Sequence, residues 1–463
     1  MTSPGTTAAV ILAAGAGSRF GGGKLVATIG GRPILALVVD AARSAGLEPI
    51  VVVGPPGGLL DHLDLGVVRR AVNPHPDEGL SGSVRVGLRE LEFETDVDAA
   101  VILLGDQPRV RADVLARLLG APRASWFVAP RHAEDAAPNP ILVRRAGWRL
   151  ADELVGDRGF GPLLAGRPDV VTWIPVEGAN PDIDTRADLA TALERAWGDR
   201  VRANREQVDR VREVPDGPDF YGPVASHFRD DPDRTGDAVL DRLRARARPD
   251  DTWLDIGAGA GRYALPLAGS VREVIAVEPS EGMRAALGEI AAGHGIENVR
   301  LLAARWPMDA FEAPTADVAL IAHVGYDVEA IGPFLDALEA AARRLCVAVL
   351  MERQPSSIAD VLWPPVHGEA RIPLPALPEF VELLRGRGNE PAVEVASRTP
   401  RRFGSRDELV HFLRRQLWIA ERGEKEGRFH AALDAVIDDT PDGFGLVGQG
   451  PLQVGIVTWA PSG

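Results

Sequence analysis

Leu12-Ala13-Ala14-Gly15-Ala16-Gly17-Ser18-Arg19-Phe20-Gly21-Gly22-Gly23-Lys24 follows the apolar run Ala8-Ala9-Val10-Ile11 and precedes a helix expected from Pro33. A strand that empties into a loop with five glycines and two cations, and then reaches a helix, has the parts of a polyphosphate site. Glycines let backbone N–H groups close on phosphate oxygens with no Cβ in the way. A helix terminus contributes only about 0.3–1 kcal/mol toward an anion, and a hydrogen bond to a charged group roughly 1.5–3 kcal/mol. Arg19 and Lys24 should therefore dominate. A Walker A loop requires Gly six residues before its Lys and Ser or Thr after it; Ser18 and Leu25 stand there. The dinucleotide fingerprint fits no better, because that fold offers bare backbone to a pyrophosphate.

Outward from this loop, the length of 463 residues exceeds what one hydrophobic core usually supports, so two or three domains are expected. The formal charge of −15 argues against a general nucleic-acid or membrane-surface partner and leaves room for a local basic pocket around an anionic substrate. The single cysteine, Cys346, lies in the apolar run Leu345–Leu350 and reads as a buried thiol; disulfides and a Cys-based zinc site are excluded by count. The N-terminal apolar run is too short to span a bilayer and has no basic residue ahead of it, so a cytoplasmic protein is expected.

The first half alternates strand-like runs (Ile50–Val53, Val67–Val72, Ala99–Leu104, Val170–Ile174) with helix-like ones (Ile34–Ala45, Ser83–Leu91, Asp113–Leu119, Arg186–Trp197). That alternation marks a sheet covered by helices on both faces, with ligands beyond the carboxyl ends of its strands. The polar punctuation falls there. Asn73-Pro74 and Glu78-Gly79-Leu80-Ser81-Gly82-Ser83 lead into a helix, with Ser81 or Ser83 as the expected N-cap. Asn73 has donor and acceptor atoms suited to a base edge, while the same residues equally suit an ordinary turn. The buried strand Ala99–Leu104 ends in Gly105-Asp106-Gln107-Pro108, where a carboxylate can hold Mg2+ against a triphosphate. Magnesium is usually held by one or two carboxylates, and Asp182-Ile183-Asp184-Thr185 supplies the second, Asp184 being favoured, with Thr185 as the cap of the next helix.

Taken together, these stretches resemble the nucleotidyltransferases, specifically the molybdenum cofactor cytidylyltransferase-like group with its LAAGxGSRFGxxK signature. The resemblance runs in order across residues 8–190. It implies a nucleotide site at Leu12, Ala13, Ala14, Gly15, Gly17, Asn73, Gly79 and Ser83, catalytic roles for Arg19, Lys24 and Asp106, and Mg2+ on Asp106 and Asp184. Asn139-Pro140-Ile141-Leu142 and Gly156-Asp157-Arg158-Gly159-Phe160-Gly161 resemble segments lining the acceptor pocket. The implied reaction is attack by an acceptor phosphate on the α-phosphorus of an NTP with release of pyrophosphate. Ala14 places the chain on the CTP side, and the implied acceptor is molybdopterin-type. A sugar or polyol phosphate acceptor, and an NAD(P)H oxidoreductase on the same scaffold, are the alternative readings.

A helical, increasingly charged stretch from Arg186 through Val214 is stopped by Pro215-Asp216-Gly217-Pro218. Beyond it, Thr252-Trp253-Leu254-Asp255-Ile256-Gly257-Ala258-Gly259-Ala260-Gly261-Arg262-Tyr263 is a strand ending in an acid, then G-x-G-x-G and a helix. This resembles class I S-adenosylmethionine-dependent methyltransferases, which implies Asp255 at the cofactor's amino group, Gly257, Gly259 and Gly261 beneath it, and Glu278 at the ribose. Where many members carry an acid near the adenine, this chain reads Ala303-Ala304-Arg305-Trp306, and Trp306 is the candidate to stack on the ring. His323, after the strand Asp317–Ala322, and Tyr326 lie where a substrate or base is met, or are a wall histidine and a packing tyrosine. Trp363-Pro364-Pro365 reads as a lid or a surface loop, Asp407–Trp418 as a capped amphipathic helix, and Leu452–Trp459 as a final antiparallel strand.

The expected fold class is thus α/β, with two Rossmann-like three-layer α/β/α domains: a nucleotidyltransferase domain over 1–200, a helical linker over 201–218, and a methyltransferase-like domain over 219–463. The second domain either transfers methyl or only binds S-adenosylmethionine. The expected partners are an NTP and a small phosphorylated acceptor, with neither nucleic acid nor membrane.

Overall fold

The computed structural model describes residues 5–461 except 16, 59, 133–136, 179, 216, 218, 220–221 and 310–311. Ala16 of the glycine loop and Asp216 and Pro218 of the expected helix stop thus lie outside the described residues. The chain divides into two compact units, Met1–Ala192 and Leu193–Gly463. Among the described residues no helix is long and apolar enough to cross a membrane.

The first unit contains strands β1 (Thr6–Leu12), β2 (Thr28–Ile29), β3 (Arg32–Pro33), β4 (Ile50–Gly54), β5 (Arg69–Val72), β6 (Val97–Leu104), β7 (Phe127–His132), β8 (Ile141–Arg144) and β9 (Val171–Val176). Seven of them form one sheet in the order β5-β4-β1-β6-β8-β7-β9, in which β8 alone runs against its neighbours. β1 is the central strand because its residues are apolar on both faces. Ala8, Val10 and Leu12 pack with Val84, Leu88 and Phe127 on one side, and Ala9, Ile11 and Ala13 with Leu35, Val38 and Leu115 on the other. β7 and β8 escaped the sequence reading: β7 carries Pro130, Arg131 and His132 and β8 is four residues long, so neither shows a long apolar run.

The second unit contains β10 (Thr252–Ile256), β11 (Glu273–Val277), β12 (Val299–Leu302), β13 (Ala316–Ala322), β14 (Ala342–Met351), β15 (Ala392–Arg398), β16 (Ile437–Thr440), β17 (Gly443–Leu446) and β18 (Leu452–Trp459). Its main sheet has the order β12-β11-β10-β13-β14-β18-β15, with β18 antiparallel between β14 and β15. The closing antiparallel strand is where the alternation of Leu452–Trp459 places it. Cys346 on β14 is fully buried.

Two expectations are corrected here. Residues 201–211, read as a linker, continue the helix Arg186–Val211 and pack within the second unit. Trp197, Val201, Asn204 and Val208 form a buried stripe at helical spacing, and Gln207 bonds both the Ala370 carbonyl and the Ile372 N–H. The charge that suggested a linker belongs to the opposite, exposed face. The Trp363 stretch is neither lid nor loop. It is a short helix, Trp363–His367, whose tryptophan is fully buried in a cluster with Leu409, Leu413, Phe429 and Leu433. The helix that supplies Leu409 and Leu413, Arg406–Leu417, is capped by Ser405, whose hydroxyl accepts from Glu408 N at 3.2 Å.

Helix Leu80–Arg89 lies on β1 so closely that a Cβ on Gly87 would stand 2.2 Å from Val10 Cγ1 and 3.1 Å from Val53 Cγ2. Gly87→Ala must lift this helix from the strand that carries the glycine loop. It should lower unfolding stability by about 1–3 kcal/mol in urea titration, whereas an exposed helical Gly→Ala change would be stabilising.

Candidate functional site

The first site is built at the carboxyl ends of β1 and β6. Ala13 N donates to Val53 O and Gly105 N to Leu12 O, which locks the start of the glycine loop and the Gly105-Asp106-Gln107-Pro108 turn side by side. Leu12, Ala13 and Ala14 are buried, and the loop comes to the surface at the exposed Gly15. Gly17, Gly21, Gly22 and Gly23 all have positive φ, between 58° and 91°, which L side chains rarely adopt. Phe20 anchors the loop, buried and covered by the Arg186 guanidinium at 4.6 Å.

Lys24 then reaches across the cleft. Its Nζ donates to Asp106 Oδ2 at 2.5 Å and to Asp184 Oδ1 at 3.1 Å, and Arg19 Nη2 donates to Asp184 Oδ2 at 2.7 Å. Burial alone would lower the Lys24 pKa, but the charges and hydrogen bonds of Asp106 and Asp184 outweigh it and raise the pKa above the usual lysine value. Lys24 is therefore a permanent cation between two carboxylates. The donor set suits a divalent ion: two carboxylates from different segments already converge on one cation.

Asp184 and Asp182 part company. Asp182 accepts from Gln107 Nε2 at 2.6 Å, and burial, together with the like charges of Asp106 and Asp184, raises its pKa against that hydrogen bond. Ile183 N donates to Asp106 O at 3.0 Å, pinning this segment to the end of β6. Thr185 caps the following helix, its Oγ1 accepting from Asp188 N at 3.1 Å and donating to Asp188 Oδ2 at 2.8 Å.

The Asn73 region differs from expectation. The helix cap is Gly79, with no side-chain cap bond; Ser81 and Ser83 sit inside the helix and are buried. Asn73 is 2% exposed, its Nδ2 donating to Ser83 Oγ at 3.0 Å and its Oδ1 accepting from His75 N at 3.0 Å. These two residues tie strand to helix. Gly79, at φ 78°, leaves no room for a Cβ, which would fall 2.6 Å from Asp157 N, so the Gly156-Asp157 turn packs directly on it. Asn139 lies elsewhere, in a depression lined by Arg109, Arg111, His132, Pro140 and Asn180. Asn180 Nδ2 reaches Gln107 Oε1 at 3.5 Å, and its Oδ1 is buried without a partner.

In the second unit, the loop after β10 folds over the end of β11: Gly257 N and Ala258 N both donate to Val277 O. A Cβ on Gly257 would meet Val324 Cγ2 at 2.5 Å and one on Gly261 would meet Leu265 at 2.7 Å, whereas Gly259 faces open space. Asp255 is 2% exposed and its Oδ1 has no hydrogen-bond partner. Burial, and then repulsion from Glu278, push its pKa to about 7. Glu278 is itself committed to backbone, accepting from Gly259 N and Ser280 N, each at 2.8 Å. A carboxylate offers about four lone-pair sites, so it retains acceptor capacity for a ligand hydroxyl. Trp306 is 8% exposed with an unpartnered indole N–H. His323, at φ 57°, has a buried, unpartnered Nδ1, and burial followed by the charges of Arg398 and Arg262 lowers its pKa to about 4. Tyr326 is a wall residue, its hydroxyl accepting from Met351 N at 2.7 Å.

Sequence reasoning missed the charged group formed by Arg234, Arg262 and Asp237, in which both guanidinium groups donate to one Asp237 oxygen. Arg262 was visible as the residue after the third glycine. Asp237 was readable as a cap of helix Ala238–Arg244, accepting from Val239 N and Leu240 N.

Because the folded-state pKa of Asp255 lies above its ordinary 3.8, the unfolded chain ionises first as pH rises. Asp255 therefore costs the fold progressively more between about pH 4 and pH 7, and a constant amount above. Asp255→Asn should raise the thermal midpoint more at about pH 8 than at about pH 5; the reverse order would contradict the buried carboxylate.

Residues 9–170 match the MobA-like NTP transferase domain and residues 254–345 a methyltransferase domain. The 23S rRNA (uracil(1939)-C(5))-methyltransferase RlmD of Xanthomonas axonopodis pv. citri (strain 306) is 43% identical over 68 residues, 15% of this chain and 15% of that protein. The bifunctional protein GlmU of Acidiphilium cryptum (strain JF-5) is 34% identical over 184 residues, 36% of this chain and 40% of that one. Among solved structures, Rv0371c from Mycobacterium tuberculosis H37Rv is 27% identical with a TM-score of 0.38, covering 42% of this chain and 100% of that chain. The chain thus spans well under half the length of the two curated relatives. With both sheets and both glycine loops in place, the chain carries a MobA-like NTP transferase domain over residues 9–170 and a methyltransferase domain over residues 254–345.

Proposed function

We propose that the first unit transfers a nucleotidyl group from an NTP, CTP favoured, to a small phosphorylated acceptor, a molybdopterin-type molecule favoured, and releases pyrophosphate. The observation that carries this is the convergence of Arg19, Lys24, Asp106 and Asp184 in one cleft beside the glycine loop. Mg2+ held by Asp106 and Asp184 would supply charge neutralisation at the α- and β-phosphates. Lys24, displaced from the carboxylates, and Arg19 would then meet the charge that builds on the leaving pyrophosphate. The acceptor oxygen forms a bond to the α-phosphorus as the bond to the β-phosphate oxygen breaks. Gly15 and the loop backbone would line the phosphates, and the preference for CTP rests on the resemblance of Leu12-Ala13-Ala14-Gly15 to the cytidine-using members. The Asn139–Asn180 depression, one residue removed from Asp106 through Gln107, is a fitting seat for the acceptor.

The second unit, in this reading, transfers methyl from S-adenosylmethionine. Asp255 would hold the cofactor's amino group, Glu278 the ribose and Trp306 the adenine, over the open Gly259. When bound, the cofactor supplies an electrophilic methyl group: its sulfonium S–CH3 bond breaks as the bond to the acceptor forms, leaving a neutral thioether. The orphaned, desolvated Asp255 carboxyl favours this, because a cationic amine is the partner it lacks.

Incubation with each NTP, Mg2+ and either molybdopterin-type or sugar phosphate acceptors, scored by pyrophosphate release, tests the first half. Asp106→Ala should lower turnover about a hundredfold or more, and retained turnover would remove the metal assignment. Product formed only with sugar phosphates would move the acceptor assignment. For the second half, calorimetry should show S-adenosylhomocysteine binding that Asp255→Asn weakens about tenfold; no binding to the unaltered chain would sink the methyl-transfer reading.

A further inference from the structure

The turn after β6 and the segment before helix Arg186–Val211 are joined by side-chain amides as well as by the Lys24 cation. Gln107 Nε2 donates to Asp182 Oδ1 at 2.6 Å, Asn180 Nδ2 reaches Gln107 Oε1 at 3.5 Å, and Ile183 N donates to Asp106 O at 3.0 Å. Gln107 is only 5% exposed and its own N donates to Leu104 O at 3.2 Å, so the carboxamide is a fixed part of the turn. Its direction is fixed too. A carboxylate only accepts, which turns the NH2 end of Gln107 to Asp182 and leaves the carbonyl end for Asn180.

Asp182 is held more loosely than its neighbours. Among the described residues Gln107 is the sole hydrogen-bond partner of its carboxylate, whereas the Asp184 carboxylate meets both Lys24 and Arg19. Ile183, between the two acids, is turned into the core at 3% exposed, and its N–H is taken by the main chain of Asp106. The peptide that carries Asp182 therefore abuts the residue whose carboxylate grips Lys24. Asp182 is the third carboxylate of this cleft, kept aside by one amide.

The number of carboxylates that face the cleft has a chemical consequence. Mg2+ takes an octahedral set at about 2.0–2.1 Å, and in phosphoryl-transfer sites one or two carboxylates fill part of it while waters and substrate phosphates fill the rest. A third carboxylate would take a position that a triphosphate oxygen needs and would add a negative charge against the triphosphate.

We propose that Gln107 is a positioning residue of the nucleotidyl-transfer site: by holding Asp182 it limits the carboxylates offered to a divalent ion to Asp106 and Asp184, and leaves the remaining positions to the triphosphate. Asn180 steadies the Gln107 carbonyl from the other side. This inference rests on the metal-dependent reading of the first unit and goes beyond it, since Gln107 acts through Asp182 and touches neither ion nor nucleotide.

The test measures, by calorimetry on the full chain, the binding of Mn2+ alone and of the Mn2+–CTP complex, counting only binding that Asp106→Ala abolishes. Gln107→Leu frees Asp182. Mn2+ alone should then bind at least about threefold more tightly, because a further carboxylate joins the set, and Mn2+–CTP about tenfold more weakly. Adding Asp182→Asn to Gln107→Leu removes the competing carboxylate and should return both affinities to within about twofold of the unaltered chain. Asp182→Asn alone, whose amide oxygen still accepts from Gln107, should move neither by more than about twofold. A merely loosened turn would weaken both ligands, and Asp182→Asn would not mend it. Gln107→Met, which keeps the side-chain length, serves if the thermal midpoint shows that Gln107→Leu does not fold. Unchanged affinities in the Gln107 variant, shifts of the same sign, or no recovery in the double variant overturn the proposal and leave the metal-dependent reading standing. Absence of any Mn2+ or Mn2+–CTP binding that Asp106→Ala abolishes removes that reading, and this inference with it.

Discussion

The Lys24 ammonium, held between Asp106 and Asp184, joins three parts of the first unit that are distant in sequence: the glycine loop, the end of β6 and the segment before the last helix. Its side chain is 11% exposed and that of Asp106 20%, so the pair is largely removed from water and neither charge is tolerable there alone. The same arrangement stores the functional property of the site. Two carboxylates are kept close by a cation, so under the proposed function the groups are positioned before a divalent ion and a polyphosphate arrive.

The second unit solves its positioning problem by the opposite means. Asp255 is buried without a neutralising partner, and the nearby Glu278 carboxylate raises its pKa further while spending its own oxygens on the Gly259 and Ser280 amides. The amide of Gly259 is thereby oriented, and the space above it stays open because no side chain grows from it. The Asp255 Oδ1 left without a partner is costly to the fold, and under the proposed function the cofactor's amine would offset that cost.

Much of this was legible before any coordinates. The glycine loops, the acid at the end of β10 and the run Ala99–Leu104 were readable because strand ends and positive-φ turns restrict residue type locally. Where reading went astray, a local pattern had two tertiary outcomes. Ser81 and Ser83 look like caps, but Gly79 is drawn against Asp157 and the helix begins earlier, which places both serines inside it. Charged residues in 201–211 suggested a helical linker, and the helix is there, yet Val201, Asn204 and Val208 form a buried stripe that becomes meaningful only once a partner surface exists.

By itself the amino-acid sequence determined the two α/β nuclei, the positions of their glycine loops and the charged residues available at each strand end, since these follow from apolar periodicity and from backbone angles that few residues adopt. Tertiary structure alone decided which acids share a cation. Asp184 was favoured over Asp182 from the sequence, but only the fold shows that Gln107 captures Asp182 and Lys24 captures Asp184. That choice depends on where β6 ends relative to the glycine loop, a distance in space that no spacing along the chain encodes.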